Sequence, residues 1–170
     1  MKCKRFLSCA ATLLIIIVLL TGCDFQFGSQ PIQHTFLQER ANVEKVEICT
    51  YRNDSYPIGT ITPIIVLSDG EIDSLWDDLL KLQAITILPS KQESRFGDLL
   101  FVIHYVDGEQ ELISFVELGS ICADGTFGGY RGYAFLDDQA LAKVFAKYAN
   151  PESLIEVSEE FAHWYNLTDE

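Results

Sequence analysis

The chain has 170 residues, of which 48% are hydrophobic, and its 25 acidic residues against 12 basic ones give a formal net charge of −13 at pH 7. Proteins that bind DNA or RNA use cations to displace the counterions of the phosphates, so this balance argues against nucleic acid as a partner. The apolar fraction is too high for a disordered chain, and the length suits a single domain with one core.

The first 23 residues have the organisation of a targeting segment. Three basic residues within positions 2–5 precede an apolar stretch from Ala10 to Leu20, which runs into Thr21, Gly22 and Cys23. This stretch is about half of the ~20 residues that a membrane-spanning helix needs. A plain secretory signal ends in an A-x-A-like triplet, whereas here the small residues lead directly to a cysteine. A transmembrane anchor and a plain secretory signal are therefore the weaker alternatives.

The pattern Leu20-Thr21-Gly22-Cys23 resembles the lipobox signal of bacterial lipoproteins. The resemblance implies that residues 1–22 are a signal peptide and that Leu20, Thr21 and Gly22 precede the cleavage site. It also implies that Cys23 begins the mature protein and carries diacylglycerol and palmitate. Two or more acyl chains anchor a protein stably where one does not. The expected location is the cell membrane, on its extracytoplasmic face.

Removal of the leader would leave nine Lys and Arg against 25 Asp and Glu, a formal charge of −16 over residues 23–170. This part loosely resembles small lipoproteins of Gram-positive bacteria, whereas Asp24 resembles the inner-membrane retention signal of some Gram-negative bacteria. Neither resemblance names a ligand. The negative charge would repel anionic headgroups within a Debye length of ~10 Å, so we expect the folded part to stand off the membrane.

Two cysteines, Cys49 and Cys122, remain beyond Cys23 once the leader is removed. Outside the cytoplasm they are candidates for one disulfide, and two buried free thiols are an equal alternative. No CxxC pair or histidine cluster accompanies them, so a zinc site is not expected. Asp73 and Asp77, one helical turn apart, supply too few oxygens for calcium. The sequence predicts no metal and no cofactor.

Residues 23–41 contain Gln, Gly, Ser and Pro and are predicted to form a lipidated tether, followed by an acidic domain over residues 42–170. The alternation in Val43–Cys49 predicts a strand, and Ile58–Leu67 predicts its return strand with Pro63 at an edge or a bulge. Ser68 and Glu71 have capping-box spacing. The apolar residues that follow have the 3.6-residue period of a helix: Ile72, Leu75, Trp76, Leu79 and Leu80.

In the second half, Leu99–Val106 is apolar on both faces and predicts a central strand. Asp107-Gly108 predicts a two-residue type I′ hairpin, which would place His104 opposite Glu111 on a partner strand ending at Leu118. A further strand pair is expected on either side of a glycine-rich turn, at residues 121–124 and 130–136. Helices are expected from Asp137 or Asp138 to Tyr148, and from Pro151 to about Tyr165. These elements predict an α+β domain, with an antiparallel sheet packed by two or three helices.

The predicted pairing of His104 with Glu111 is the best candidate for acid–base chemistry, because a neighbouring carboxylate stabilises the imidazolium. It would support an extracytoplasmic hydrolase. The alternative, a structural pair or a satisfied core histidine, is favoured, since the register brings no nucleophile to the pair. No Gly-x-Ser-x-Gly elbow is present.

The segment from Gly125 to Tyr133 is the most distinctive part of the mature chain. It lacks the Gly-Lys-Ser/Thr ending of a phosphate loop. Its glycines and large side chains suit a recognition loop, with four candidate binding residues: Phe127, Tyr130, Arg131 and Tyr133. The favoured alternative is a hairpin whose aromatic side chains pack inward.

Together these patterns predict a lipid-anchored, extracytoplasmic module that binds or interacts without catalysis. The expected partners are the membrane, through Cys23, and an envelope protein or a small ligand. The alternative is a hydrolase that uses His104 and Glu111.

Overall fold

The computed structural model describes residues 29–32, 35–55, 57–86 and 96–166. The predicted signal peptide, the predicted lipidation site at Cys23 and residues 87–95 lie outside the described residues. Within the described ranges the chain forms nine strands in two antiparallel sheets, with four helices packed against them. The predicted α+β class is confirmed.

The strands are β1 (Gln30–Pro31), β2 (Val43–Arg52), β3 (Thr60–Val66), β4 (Gln83–Thr86), β5 (Leu99–Tyr105), β6 (Gln110–Ser114), β7 (Leu118–Ile121), β8 (Phe127–Tyr130) and β9 (Tyr133–Phe135). The helices are α1 (Asp69–Leu79), α2 (Asp138–Tyr148), α3 (Pro151–Val157) and α4 (Glu159–Asn166). The larger sheet has the order β3-β2-β5-β6-β7-β8, and the smaller one has the order β1-β4-β9.

Local sequence signals start the helices. The backbone N–H of Ser68 donates to Glu71 Oε2 at 2.7 Å, which forms half of the predicted capping box of α1. Asp137 caps α2 by accepting a hydrogen bond from the Ala140 amide at 3.0 Å. The predicted helix from Pro151 to Tyr165 is instead two helices. Ser158 separates them, because its hydroxyl accepts from the Phe161 amide at 2.8 Å and thereby starts α4.

One face of the larger sheet carries the main core. Val46 and Ile48 of β2 and Phe101 of β5 are fully buried on this face, under α1 and α2. Phe101 stacks on Phe145 of α2 with a ring-centroid distance of 3.9 Å. This contact fixes α2 across the centre of the sheet, since offset or stacked aromatic pairs add to the free energy of apolar burial.

The opposite face of the same sheet carries a second, smaller apolar cluster. Its buried members are Cys49, Tyr51, Phe96, Leu100, Val102 and Leu112. Strand β5 therefore buries side chains on both faces, with Leu100 and Val102 on one and Phe101 and Ile103 on the other. The predicted central position of this strand is confirmed.

From residue 30 onward, the segment predicted to be a tether is instead part of the folded domain. Gln30 and Pro31 pair with Ala84 and Gln83 of β4. Ile32 and Thr35 are fully buried, and the ring of Phe36 lies 4.5 Å from that of Trp76. The apolar side chains of this segment are buried by packing on distant elements, which the local Gln, Ser and Pro composition does not reveal.

The predicted hairpin register is wrong by one residue. The carbonyl of Tyr105 accepts from the Gly108 amide, and the Tyr105 amide donates to the Glu109 carbonyl, both at 2.9 Å, so the loop has three residues instead of two. Gly108 has a φ of +89°, and no residue other than glycine has positive φ among those described. His104 therefore pairs with Gln110, and Glu111 pairs with Ile103. A slip of one residue exchanges the faces of a strand, so His104 and Glu111 lie on opposite sides of the sheet.

The strand pair predicted around the glycine-rich turn also differs. Strand β7 pairs with β8, and Leu118 belongs to β7 rather than to the end of β6. Tyr133–Phe135 leaves the larger sheet and pairs with β4. The two sheets are thus joined through Arg131 and Gly132, which lie between β8 and β9.

Candidate functional site

His104 contacts Glu47 on the neighbouring strand instead of Glu111. Its Nε2 lies 2.7 Å from Glu47 Oε2, and Lys45 Nζ lies 3.0 Å from Glu47 Oε1. Burial pushes the pKa of Glu47 upward, but the hydrogen bonds from Lys45 and His104 outweigh it, so the pKa lies below its ordinary value. The carboxylate is thus held ionised between two cationic or donor groups.

Cys49 shares this face of β2 with Glu47, and it is the nearest candidate for a nucleophile. Only 1% of its surface is exposed. Burial, and then the charge of Glu47, raise the pKa of its thiol to about 12. Because the thiolate is the reactive form, Cys49 is not an activated nucleophile. Lys45, Glu47 and His104 thus form a part-buried cluster of ion-paired and hydrogen-bonded side chains on this face of the sheet.

Glu111 is fully buried on the opposite face. Its Oε2 accepts hydrogen bonds from Tyr105 Oη at 2.7 Å and from the Leu37 amide at 3.3 Å. Its Oε1 lies 3.6 Å from Arg131 Nη1, which is an ion pair but too long for a hydrogen bond, and neither atom has a hydrogen-bond partner among the described residues. Burial raises the pKa of Glu111 to about 7, although the hydrogen bonds from Tyr105 and Leu37 and the charge of Arg131 lower it.

The buried Glu111 carboxylate brings together three separate parts of the chain. Arg131 Nη2 donates to the Thr35 carbonyl at 2.8 Å, while Nη1 faces Glu111. The segment at residues 35–37, strand β6 and the link between β8 and β9 therefore meet at one carboxylate. Arg131, which was predicted as a binding residue, makes these contacts within the molecule, with 23% of its side chain exposed.

The other three predicted binding residues are half-buried. The rings of Phe127 and Tyr130 lie 6.2 and 5.0 Å from that of Phe96, and 5.0 Å from each other. Tyr133 packs against the main core. The segment from Gly125 to Tyr133 contains the end of a turn, the edge strand β8, the link at Arg131 and Gly132, and the first residue of β9. Its aromatic side chains pack inward, as in the alternative interpretation.

Cys49 and Cys122 are both free thiols, the first buried and the second exposed. The candidate disulfide is therefore wrong. Cys122 follows β7, which lies three strands from β2 in the sheet. At ~4.8 Å per strand this separation is about 14 Å, twice the ~7 Å that a disulfide can span between Cα atoms.

Two neighbouring depressions, which share Lys81 and Leu82, lie between the end of α1 and α2 and were not predicted from the sequence. We call the two together the α1–α2 groove. Its apolar lining comes from Leu82, Leu136, Ala140 and Val144, and its charged residues are Lys81, Lys143, Lys147, Asp78 and Asp137. Asp78 accepts hydrogen bonds from Lys81 at 2.8 Å and from Tyr148 at 2.7 Å, and it also pairs with Lys147. The i, i+4 spacing of Lys143 and Lys147 was the available sequence signal, because it places both on one side of a helix.

Comparison of the chain with models of protein families, with curated proteins and with solved structures found no match. In the described part of the chain, no three or more His, Cys, Asp and Glu side chains come together in a way that could hold a metal ion. No helix among the described residues has the length and apolar character needed to cross a membrane.

Proposed function

We propose that this protein is a bacterial lipoprotein, anchored to the extracytoplasmic face of the cell membrane through Cys23, with a domain that binds or interacts without catalysis. The observation that carries the proposal is the sequence Leu20-Thr21-Gly22-Cys23 behind a short apolar segment. Cys23 stands seven positions before Gln30, where the first strand of the domain begins. The acyl chains would therefore be joined to the fold by a short connection.

The non-catalytic part of the proposal is supported by what the chemically versatile side chains contact. Glu111 is bound by Tyr105 and faces Arg131 inside the molecule. His104 is paired with Glu47 on the other side of the sheet. The hydrolase alternative needs His104 and Glu111 in one active site, and their positions on opposite faces remove its basis.

The edge strand β8 is the face proposed to meet an envelope protein or small ligand. Among the described strands its neighbour is β7, and Gly128 is exposed between the half-buried Phe127 and Tyr130. The backbone of an edge strand can pair with another chain, while half-buried aromatic side chains supply contact area.

Anchoring is tested by expressing the full-length chain in bacteria with a radiolabelled fatty acid and measuring the mass of the N-terminal peptide. We expect label and two or three acyl chains on Cys23, and loss of both in Cys23→Ser. A membrane-bound, lipid-labelled Cys23→Ser product would contradict the proposal.

The interaction face is tested in cells with a photo-crosslinking residue at Thr126, which is exposed directly before β8, and with a matched control at Thr62 on β3, the other edge strand. We expect a discrete crosslinked species from position 126 and none from position 62. The same products from both positions, or none from either, would contradict the assignment of β8.

A further inference from the structure

The α1–α2 groove carries an unusual share of the positive charge of this acidic protein. Three of the seven Lys and Arg side chains in the described residues lie at this groove, although residues 23–170 have a formal charge of −16. Asp78 pairs with Lys81 and Lys147, and Asp137 is occupied in capping α2. Lys143 is exposed and makes no ion pair with any described residue.

The groove also exposes apolar surface beside these lysines. Leu136 is 55% exposed, and Leu82 and Ala140 are half-buried. A surface that combines exposed apolar side chains with lysines complements the boundary between the acyl chains and the anionic headgroups of a membrane. Lysine stems contact the apolar layer while their ammonium groups reach the phosphates.

The position of the groove favours a membrane over a soluble acidic partner. Gln83 lines the groove, and its Cα is paired with that of Pro31 in β1, so the two backbones lie about 5 Å apart. Cys23 precedes Gln30 by seven residues, which span at most about 25 Å. With one more residue to Pro31 and the backbone distance to Gln83, a lipid chain on Cys23 would hold Gln83 within about 34 Å of the headgroups.

We infer that the α1–α2 groove binds the anionic phospholipid surface of the membrane to which the protein is anchored, and so fixes the orientation of the domain. This inference rests on the proposed lipoprotein function. It revises the expectation that the whole acidic domain stands off the membrane. Charges farther than about 8 Å from the headgroups are largely screened at physiological ionic strength, so the charges at the groove, three lysines against Asp78 and Asp137, decide the contact.

The test uses the lipidated protein in vesicles of phosphatidylcholine alone and of phosphatidylcholine mixed with phosphatidylglycerol. Lysines are acetylated briefly with an amine-reactive reagent and the extent is measured by mass spectrometry. We expect acetylation of Lys81 and Lys143 to fall about fivefold on the anionic vesicles. Lys45, which lies on the larger sheet with 42% of its side chain exposed, should be acetylated equally on both. The protection should disappear at 0.5 M salt, since about 4 Å of screening length remains.

Two variants distinguish the effect of the groove lysines from the effect of the overall charge of the protein. Lys143→Glu reverses an unpaired, exposed charge, so it should fold normally and lose the protection of Lys81 on anionic vesicles. Lys45→Glu makes the same charge change outside the groove and should keep the protection.

The outcomes distinguish this inference from the function on which it rests. If Cys23 carries no acyl chain, the proposed function fails and the inference with it. If Cys23 is acylated but the lysines are acetylated equally on both kinds of vesicle, the inference alone is overturned. Equal protection of Lys81 and Lys143 on neutral vesicles would also overturn it. Protection that does not depend on lipid charge would come from a protein or a soluble ligand bound at the groove.

Discussion

Arg131 Nη1 lies 3.6 Å from Glu111 Oε1, and these two residues connect the glycine-rich strand region to a fully buried position of β6. The carboxylate sits where β5, β6 and the segment at residues 35–37 meet, since Tyr105 and the Leu37 amide bind its other oxygen. A buried charge costs free energy unless a partner offsets it. Arg131 is therefore a structural residue at the junction of the two sheets.

Arg131→Ala should lower the free energy of unfolding by about 3 kcal/mol at pH 8, because it leaves the Glu111 carboxylate buried without its cation. At pH 5.5 the loss should be smaller, since Glu111 takes up a proton and no longer carries the charge. Urea unfolding at the two pH values measures both losses. Arg52→Ala removes an exposed arginine and should change stability by less than about 0.5 kcal/mol. Equal losses for Arg131→Ala at both pH values would contradict this account.

Glu160 is a half-buried carboxyl group whose pKa, like that of Glu111, is displaced upward. Burial, and then the charge of Asp98, raise its pKa to about 7, and Glu111 has a similar value. The ordinary value in the unfolded chain is 4.5. The folded state therefore binds protons that the unfolded state does not, and stability rises as the pH falls from about 7 toward 4.5.

We expect the thermal midpoint of the wild-type protein to increase between pH 8 and pH 5. Glu160→Gln should raise the midpoint at pH 8, where it removes a half-buried charge, and should have little effect at pH 5. Calorimetry across this range checks the slope. Glu159→Gln is the matched control, because Glu159 is the exposed neighbour in α4. A midpoint that falls steadily below pH 8 would show that other groups dominate.

The two cysteines of the domain should differ in reactivity toward a maleimide. In the chain 23–170 with Cys23→Ser, we expect Cys122 to react in the folded protein and Cys49 to react only after unfolding. The reason is that Cys49 is buried and its pKa is raised to about 12, whereas Cys122 is exposed. Peptide mass spectrometry assigns the sites. Two unreactive thiols with a mass lower by two hydrogens would show a disulfide instead.

Gly119→Ala tests how Phe96 packs in the second apolar cluster. An added Cβ would lie 2.3 Å from Cζ of Phe96, so the ring must move. Displacing a packed aromatic side chain costs about 1–3 kcal/mol, measured as the loss in free energy of unfolding. Gly70→Ala in α1 is the control, since nothing lies within 4 Å of its added Cβ and alanine favours a helix. Unchanged stability in Gly119→Ala would mean that Phe96 does not pack there.

Local signals in the sequence were sufficient to predict the elements with a strong hydrophobic pattern. The capping box at Ser68 and Glu71 placed α1, and the apolar run at Leu99–Val106 placed β5 at the centre of the sheet. Pro63 lies on the edge strand β3, beside the irregularity between Ile48 and Cys49 in the pairing of β2 with β3, which agrees with the predicted edge or bulge. These features depend on residues close in sequence, whose preferences do not need the rest of the fold.

The candidate site was predicted incorrectly because it depended on a single register. Asp107-Gly108 suits both a two-residue and a three-residue hairpin loop, and the choice decides whether Glu111 faces His104 or the core. Glu47, the actual neighbour of His104, is 57 residues away along the chain. No local pattern connects these two residues.

The sequence by itself determined the α+β class and the principal helices, because periodicity and capping residues are local properties; the leader ending at Cys23 is likewise predicted from a local pattern, the apolar run before Leu20-Thr21-Gly22-Cys23. The tertiary structure alone decided that Arg131 faces Glu111, that residues 30–32 and 35–37 belong to the domain, and that Lys81, Lys143 and Lys147 surround one groove. These arrangements come from strand register and helix packing, which bring together side chains that are distant in the sequence.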